Sequence, residues 1–315
     1  MKRHLAAILV SAFAALALAG DGLAVSTDRK PPVRKYTKGE ARQDRWPKPV
    51  DEFLAGEFLE RSDVVLTRRE YDPASFLIRW ATGSPFSHAA LIFTSPNVEQ
   101  GVSSTFVIEA GTAGVDLTNL RDYVYDKSSF VAIKRLRKPW FDAEKQSRVR
   151  GLLLDNIKSE YNYWAIVRFA RSLWFGIKRS VSGKKDAVLA FQKSDWQRPN
   201  EFICSGLVQF GFVEAVVEYV RNRKLPPWTV AEVMFTKEGE AGLIPRETWE
   251  RMTPEEVDQM LDDHTAAIRE SLASQLEAIT PHDIAASDKL EWLYFIKDGL
   301  VYRVDSLADV ERRAR

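Results

Sequence analysis

The chain has 315 residues, 45% of them apolar and 28% charged, which is enough to bury a full core and is ordinary for a globular protein. A formal charge of +1 offers no overall attraction to nucleic acid, so no nucleic-acid partner is expected. A single cysteine excludes an internal disulfide framework, and the four histidines show no metal-ligand spacing, so neither a metal nor a cofactor is expected.

The N-terminus opens with a basic tip, Lys2-Arg3-His4, followed by an apolar run from Leu5 to Gly20. Ala17-Leu18-Ala19 then supplies the small residues of a signal-peptidase site. Residues 1–19 read as an export signal whose removal leaves a charge of −1. The expected location is periplasmic or secreted, with an uncleaved anchor as the alternative, although the run is short for a bilayer span. Residues 20–58 read as an N-terminal extension, punctuated by Pro31, Pro32, Pro47 and Pro49, with Trp46 as a local anchor.

A strand pattern begins at 63–67. A helix follows from Pro73, which occupies its first position, and Gly83-Ser84-Pro85 stops it. Strands are predicted at 86–93, 105–110 and 130–136, the last two separated by a turn-rich piece containing Gly111, Gly114, Asp116 and Asn119. Residues 142–158 have the spacing of an amphipathic helix. The stretch 161–175 is crowded with aromatics and arginines, and 180–185 reads as an exposed break.

Cys204 precedes Leu207, Val208, Phe210, Phe212, Val213, Val216, Val217 and Val220, which recur at three and four residues and predict a buried helix to about residue 223. Pro226-Pro227 forces the exit. Further on, Thr253, Pro254 and Glu256 predict a capped helix over 254–278. Two strands at 290–296 and 300–304, joined through Asp298-Gly299, read as a hairpin.

Three residues stand out as candidates for chemistry. Cys204 falls in the first helical turn, where unpaired backbone N–H groups and the positive end of the dipole favour thiolate. The bland reading is a buried cysteine acting as a small hydrophobe. His88 and Glu109 lie on strands joined by a loop of about ten residues; if these pair antiparallel, the two positions come opposite or one diagonal apart. A carboxylate there would orient the imidazole and stabilise its charged form. Read separately, His88 is a hydrogen-bonded histidine at a strand start and Glu109 an edge charge. Of the other histidines, His4 leaves with the signal, and His264 and His282 lie outside the sheet pattern.

The stretches Asp63-Val64-Val65-Leu66, Ser84-Pro85-Phe86-Ser87-His88-Ala89-Ala90, Val107-Ile108-Glu109-Ala110 and Phe202-Ile203-Cys204-Ser205-Gly206-Leu207-Val208 resemble the permuted papain-like amidases, an offshoot of the NlpC-type cell-wall peptidases. The order of histidine, polar residue and cysteine is that of the permuted group. The resemblance implies an α+β, circularly permuted papain-like fold, with an antiparallel sheet packed against the nucleophile-bearing helix. The match covers about residues 62–230 and implies a catalytic domain over 59–230; residues 231–315, which the family's motifs do not explain, read as a C-terminal helix-and-hairpin extension that could cover one end of the groove. It also implies Cys204 as nucleophile, His88 as general base and Glu109 as its orienting partner. Substrate contacts are expected at Ser87, Tyr161 and Ser205, although Ser205, beside Cys204, reads as a small helix-packing residue rather than a second nucleophile. Asn162 stands where the family often has an acid after the tyrosine, a departure from its pattern.

The resulting expectation is an exported monomeric thiol hydrolase cutting an amide bond in a cell-wall peptide or related conjugate. Two rivals accompany it. One is a lipid-directed acyl hydrolase or transferase with peripheral membrane contact, suggested by the aromatic and basic residues from Trp164 to Arg179. The other is a non-catalytic envelope binding module.

Overall fold

The computed structural model describes residues 46–69, 73–95, 104–111, 114–157, 160–161, 201–236, 246–253, 255, 256, 259 and 279–314. The stretch read as an export signal, most of the stretch read as an N-terminal extension, the aromatic and basic run and most of the helix expected over 254–278 lie outside the described residues.

In chain order the described elements begin with β1 (Lys48–Pro49), α1 (Val50–Ala55), β2 (Val64–Arg69), α2 (Pro73–Thr82), β3 (His88–Thr94), β4 (Phe106–Gly111) and β5 (Gly114–Asn119). They continue with α3 (Arg121–Val124), β6 (Ser129–Arg135), α4 (Ala143–Leu154), β7 (Glu160–Tyr161), β8 (Glu201–Phe202) and α5 (Cys204–Arg221). A 3-10 turn over Pro227–Val233 precedes α6 (Arg246–Trp249), α7 (Pro281–Ala286), β9 (Glu291–Lys297), β10 (Leu300–Arg303) and α8 (Leu307–Ala314).

Eight strands form one antiparallel sheet in the order β1-β10-β9-β6-β2-β3-β4-β5. The architecture is therefore mixed α+β. The hairpin read as part of a C-terminal extension is built into this sheet, because β9 pairs with β6 from Val131↔Ile296 to Arg135↔Glu291. Its turn is the one the sequence announces: Asp298 and Gly299 both have positive φ, 53° and 75°, as a tight antiparallel hairpin requires. The N-terminal segment also joins the sheet, since Lys48 pairs with Val301.

One expectation is corrected. The glycine- and aspartate-rich piece after β4 forms strand β5, in register from Gly111↔Gly114 to Phe106↔Asn119. A hydrogen-bonded ladder along the whole of β4 outweighs the local turn preferences of Gly114, Asp116 and Asn119.

Each face of the sheet carries its own core. On one, Leu66, Ala89, Leu91, Ile108, Ala110 and Ala132 meet α5 through Leu207, Val208, Phe212 and Val216. Fourteen of the eighteen residues of α5 are buried, so it is apolar on nearly all sides. At Gly211 an added Cβ would lie 2.9 Å from Leu153, which lets α4 pack close against α5. On the other face, Val65, Ala90, Ile92, Val107 and Val131 are covered by Val50, Phe53, Leu54 and Leu59 of the N-terminal segment and by Tyr123 and Val124 of α3. Trp46 stacks on Tyr294 there, at 5.3 Å between ring centres.

An ion cluster around the buried Asp63–Arg135 pair ties the chain entering β2 to β6. Arg135 donates to both carboxylate oxygens of Asp63, at 2.6 and 2.7 Å, to Glu60 at 2.5 Å and to the Phe58 carbonyl at 2.9 Å. Among the described residues, no helix is long and apolar enough to cross a membrane.

Candidate active site

The site is built where three elements begin or meet. His88 is the first residue of β3, and the chain entering it is fixed on both sides. The Ser87 N–H donates to the Thr67 carbonyl at 2.9 Å, and the buried Ser87 hydroxyl accepts from Ser75 on α2. Glu109 is the fourth residue of β4, next in register to Ile108, which pairs with Leu91. Cys204 is the first residue of α5, 3% exposed and the chain's one free cysteine.

His88 joins the other two. Its Nε2 lies 2.5 Å from Glu109 Oε2, and the ring is hydrogen-bonded to the Cys204 sulfur. With Nε2 committed to the carboxylate, Nδ1 is the nitrogen left to exchange a proton with sulfur. The sulfur also receives the backbone N–H groups of Ala89 and Ser205, which places the start of α5 on the start of β3.

Sequence reasoning missed two residues that complete this arrangement. Thr118 on β5 donates its hydroxyl to Glu109 Oε1 at 2.5 Å, and Tyr123 on α3 donates to Oε2. The Tyr123 ring also lies nearly parallel to the His88 ring, 6.2 Å away and inclined by 14°. Both residues come from the stretch read as turns. The available signal was alternation: Val107 pairs with Thr118, so Thr118 shares the face of Glu109.

Electrostatics follow from these contacts. Burial disfavours the charged ring, yet the facing sulfur and carboxylate outweigh it and push His88 up to about 10. Burial likewise opposes the thiolate, but the charge and hydrogen bond of His88, with the two N–H donors, hold Cys204 below the ordinary thiol value. Burial would raise Glu109; His88, Thr118 and Tyr123 together hold it at about 2. All three shifts favour a thiolate, an imidazolium and a carboxylate at neutral pH.

The residues expected to touch substrate are placed differently from one another. Ser205 is 1% exposed and gives its hydroxyl to the Ile279 carbonyl at 2.7 Å, so its donor is committed inside the protein. Ser87 is tied to Ser75 as described. Tyr161 sits on β7, paired with Phe202 two residues before Cys204. Asn162 lies outside the described residues.

Among the described residues, no group of three or more His, Cys, Asp or Glu side chains is arranged to hold a metal ion. No protein-family model matches the chain, and no curated protein matches it.

Proposed function

We propose that this chain is a thiol hydrolase of the permuted papain-like kind, exported to the periplasm or beyond, and that it cleaves an amide bond in a cell-wall peptide or related conjugate. The observation that carries the reading is His88 between Cys204 and Glu109, hydrogen-bonded to both. A structural cysteine needs neither partner, and a buried histidine needs only one.

In this mechanism the Cys204 thiolate attacks the substrate carbonyl carbon and forms a tetrahedral oxyanion. In this reading the backbone N–H of Cys204, a first-turn donor with no acceptor inside α5, is the group assigned to the developing charge. The imidazolium of His88 passes its Nδ1 proton to the leaving amine, and the C–N bond breaks to give a thioester on Cys204. Water then attacks that thioester while His88 takes its proton, and the carboxylic acid leaves with the thiolate restored. Throughout, Glu109 accepts the Nε2–H and holds the ring, with Thr118 and Tyr123 fixing the carboxylate.

A second reading, in which the acyl group belongs to a lipid, draws on α2. Phe76 and Trp80, one helical turn apart, are 61% and 55% exposed on the helix tied to Ser87. Trp at an apolar surface suits a membrane interface.

The deciding experiment incubates the mature protein with wall-derived stem peptides and with anionic phospholipid vesicles, and follows new termini or released fatty acid. Amide cleavage that disappears in Cys204→Ala supports the proposal. Fatty-acid release without peptide cleavage moves the assignment to the lipid reading, and turnover unaffected by Cys204→Ala contradicts both.

A further inference from the structure

Ser205 is buried in the first turn of α5. It is the second residue of α5, so the carbonyls three and four residues back belong to β8 and not to the helix. Here the hydroxyl leaves the helix and donates to Ile279, 74 residues further along the chain. The same residue's backbone N–H hydrogen-bonds the Cys204 sulfur. One residue therefore holds the nucleophile through its main chain and a distant segment through its side chain.

That segment is fixed at both ends. Thr280 and Asp283 form a reciprocal cap, with the Thr280 N–H donating to the Asp283 carboxylate at 2.7 Å and the Asp283 N–H to the Thr280 hydroxyl at 3.2 Å. At the other end, Lys134 of β6 donates to the carbonyls of Ile284, Ala285 and Ser287 at 3.0, 2.7 and 2.8 Å. The lysine is fully buried, and its three ammonium protons meet three carbonyls left open at a helix end. Its Nζ also lies 4.6 Å from the centre of the Trp292 ring. Trp292 in turn stacks on Phe86, two residues before His88, with ring centres 6.0 Å apart. The contacts of Lys134 thus reach toward Cys204 through residues 279–287 and toward His88 through Trp292.

We propose that Ser205 is a positioning residue for Cys204, anchored on the Ile279 carbonyl, and that residues 279–287, held by Lys134, set the nucleophile against His88. This rests on the hydrolase reading above. In it, the hydroxyl of Ser205 contacts no substrate; it keeps the first turn of α5 in the one placement where the sulfur receives the N–H groups of Ala89 and Ser205 and the ring of His88. Removing the anchor leaves the three side chains present but less closely aligned.

The test is the pH dependence of iodoacetamide alkylation in the full chain, where the single cysteine makes every adduct a Cys204 adduct. Ser205→Ala should slow alkylation at pH 6–7 by roughly tenfold, the scale expected for a small misplacement, and move the midpoint up toward an ordinary thiol. Gln209→Leu is the comparison. It removes two buried hydrogen bonds from the same helix, to Val233 and Phe235, and leaves the Ser205–Ile279 hydrogen bond in place. It should lower the melting temperature and leave the alkylation profile unmoved. A Ser205→Ala profile that overlays the wild type, or a Gln209→Leu shift as large as that of Ser205→Ala, overturns the proposal. A wild-type thiol that titrates at the ordinary value is a different result: it contradicts the hydrolase reading itself, and the positioning role falls with it.

Discussion

His88 and Glu109 are held 2.5 Å apart by the pairing of two strands, not by a loop. β3 and β4 run antiparallel with Leu91 opposite Ile108, which sets Glu109 one diagonal from His88. The carboxylate then has both oxygens filled, one by His88 and Tyr123 and the other by Thr118. A group satisfied in this way has little freedom to rotate, and neither does the imidazole it grips.

Cys204→Ala should reduce amide cleavage by about a thousandfold or more, as removal of a covalent nucleophile does, while leaving the fold intact. Burial of the residue sets the structural cost of losing one sulfur at about 1 kcal/mol, in the range of small core truncations. Turnover of wall peptides together with a thermal melt checks both parts.

Tyr123→Phe keeps the ring beside His88 and removes one donor to Glu109. Activity should fall by about tenfold, the cost of one charge-assisted hydrogen bond. Because the Tyr123 hydroxyl is one of the groups that lower Glu109, the acid limb of the pH–rate profile should move upward. A profile measured from pH 3 to 8 shows the shift; a Phe variant with lower activity and an unmoved acid limb would assign Tyr123 to packing alone.

Glu109 also links stability to pH. Its ordinary value of 4.5 drops to about 2 in the folded chain, so the folded state binds this proton more weakly than the unfolded state. The stabilisation is fully present above the ordinary value and is lost as pH falls through about 2. Urea unfolding at pH 6 and at pH 2.5 should therefore show a stability gap between wild type and Glu109→Gln that narrows at the lower pH.

Asp63→Asn tests the scaffold separately from the site. Arg135 is a buried cation whose bidentate partner is Asp63, and the substitution leaves it without that charge. Breaking a buried pair from one side costs about 3–5 kcal/mol. Denaturant unfolding should show a loss of that size, whereas the pH profile of Cys204 alkylation in the remaining folded protein should be unchanged.

What the sequence made legible was local. Pro73 and Gly83 bracket α2, the apolar spacing after Cys204 gives α5, and Asp298-Gly299 gives the β9–β10 turn. The pairing of His88 with Glu109 followed from loop length. β5 was not legible, because Gly114, Asp116 and Asn119 carry turn preferences that only a neighbouring strand overrides, and Thr118 and Tyr123 were lost with it. The place of β9 beside β6 was equally hidden: a hairpin's sequence fixes its own turn but not which distant strand completes the sheet. The same holds for Ser205, whose partner Ile279 no spacing rule connects to it.

The most direct measurement of the central claim is the rate of Cys204 alkylation from pH 4 to 10 in the wild type and in His88→Ala. A thiolate stabilised by an imidazolium, and by N–H groups at the start of α5, should react with a midpoint well below an ordinary thiol and hold a plateau through neutral pH. His88→Ala should move that midpoint up to about 8.5, the value of a free cysteine, or above it because the site is buried. Identical profiles for the two proteins, or a wild-type midpoint at the ordinary value, would mean that His88 and Cys204 do not act as a pair, and the hydrolase assignment would be wrong.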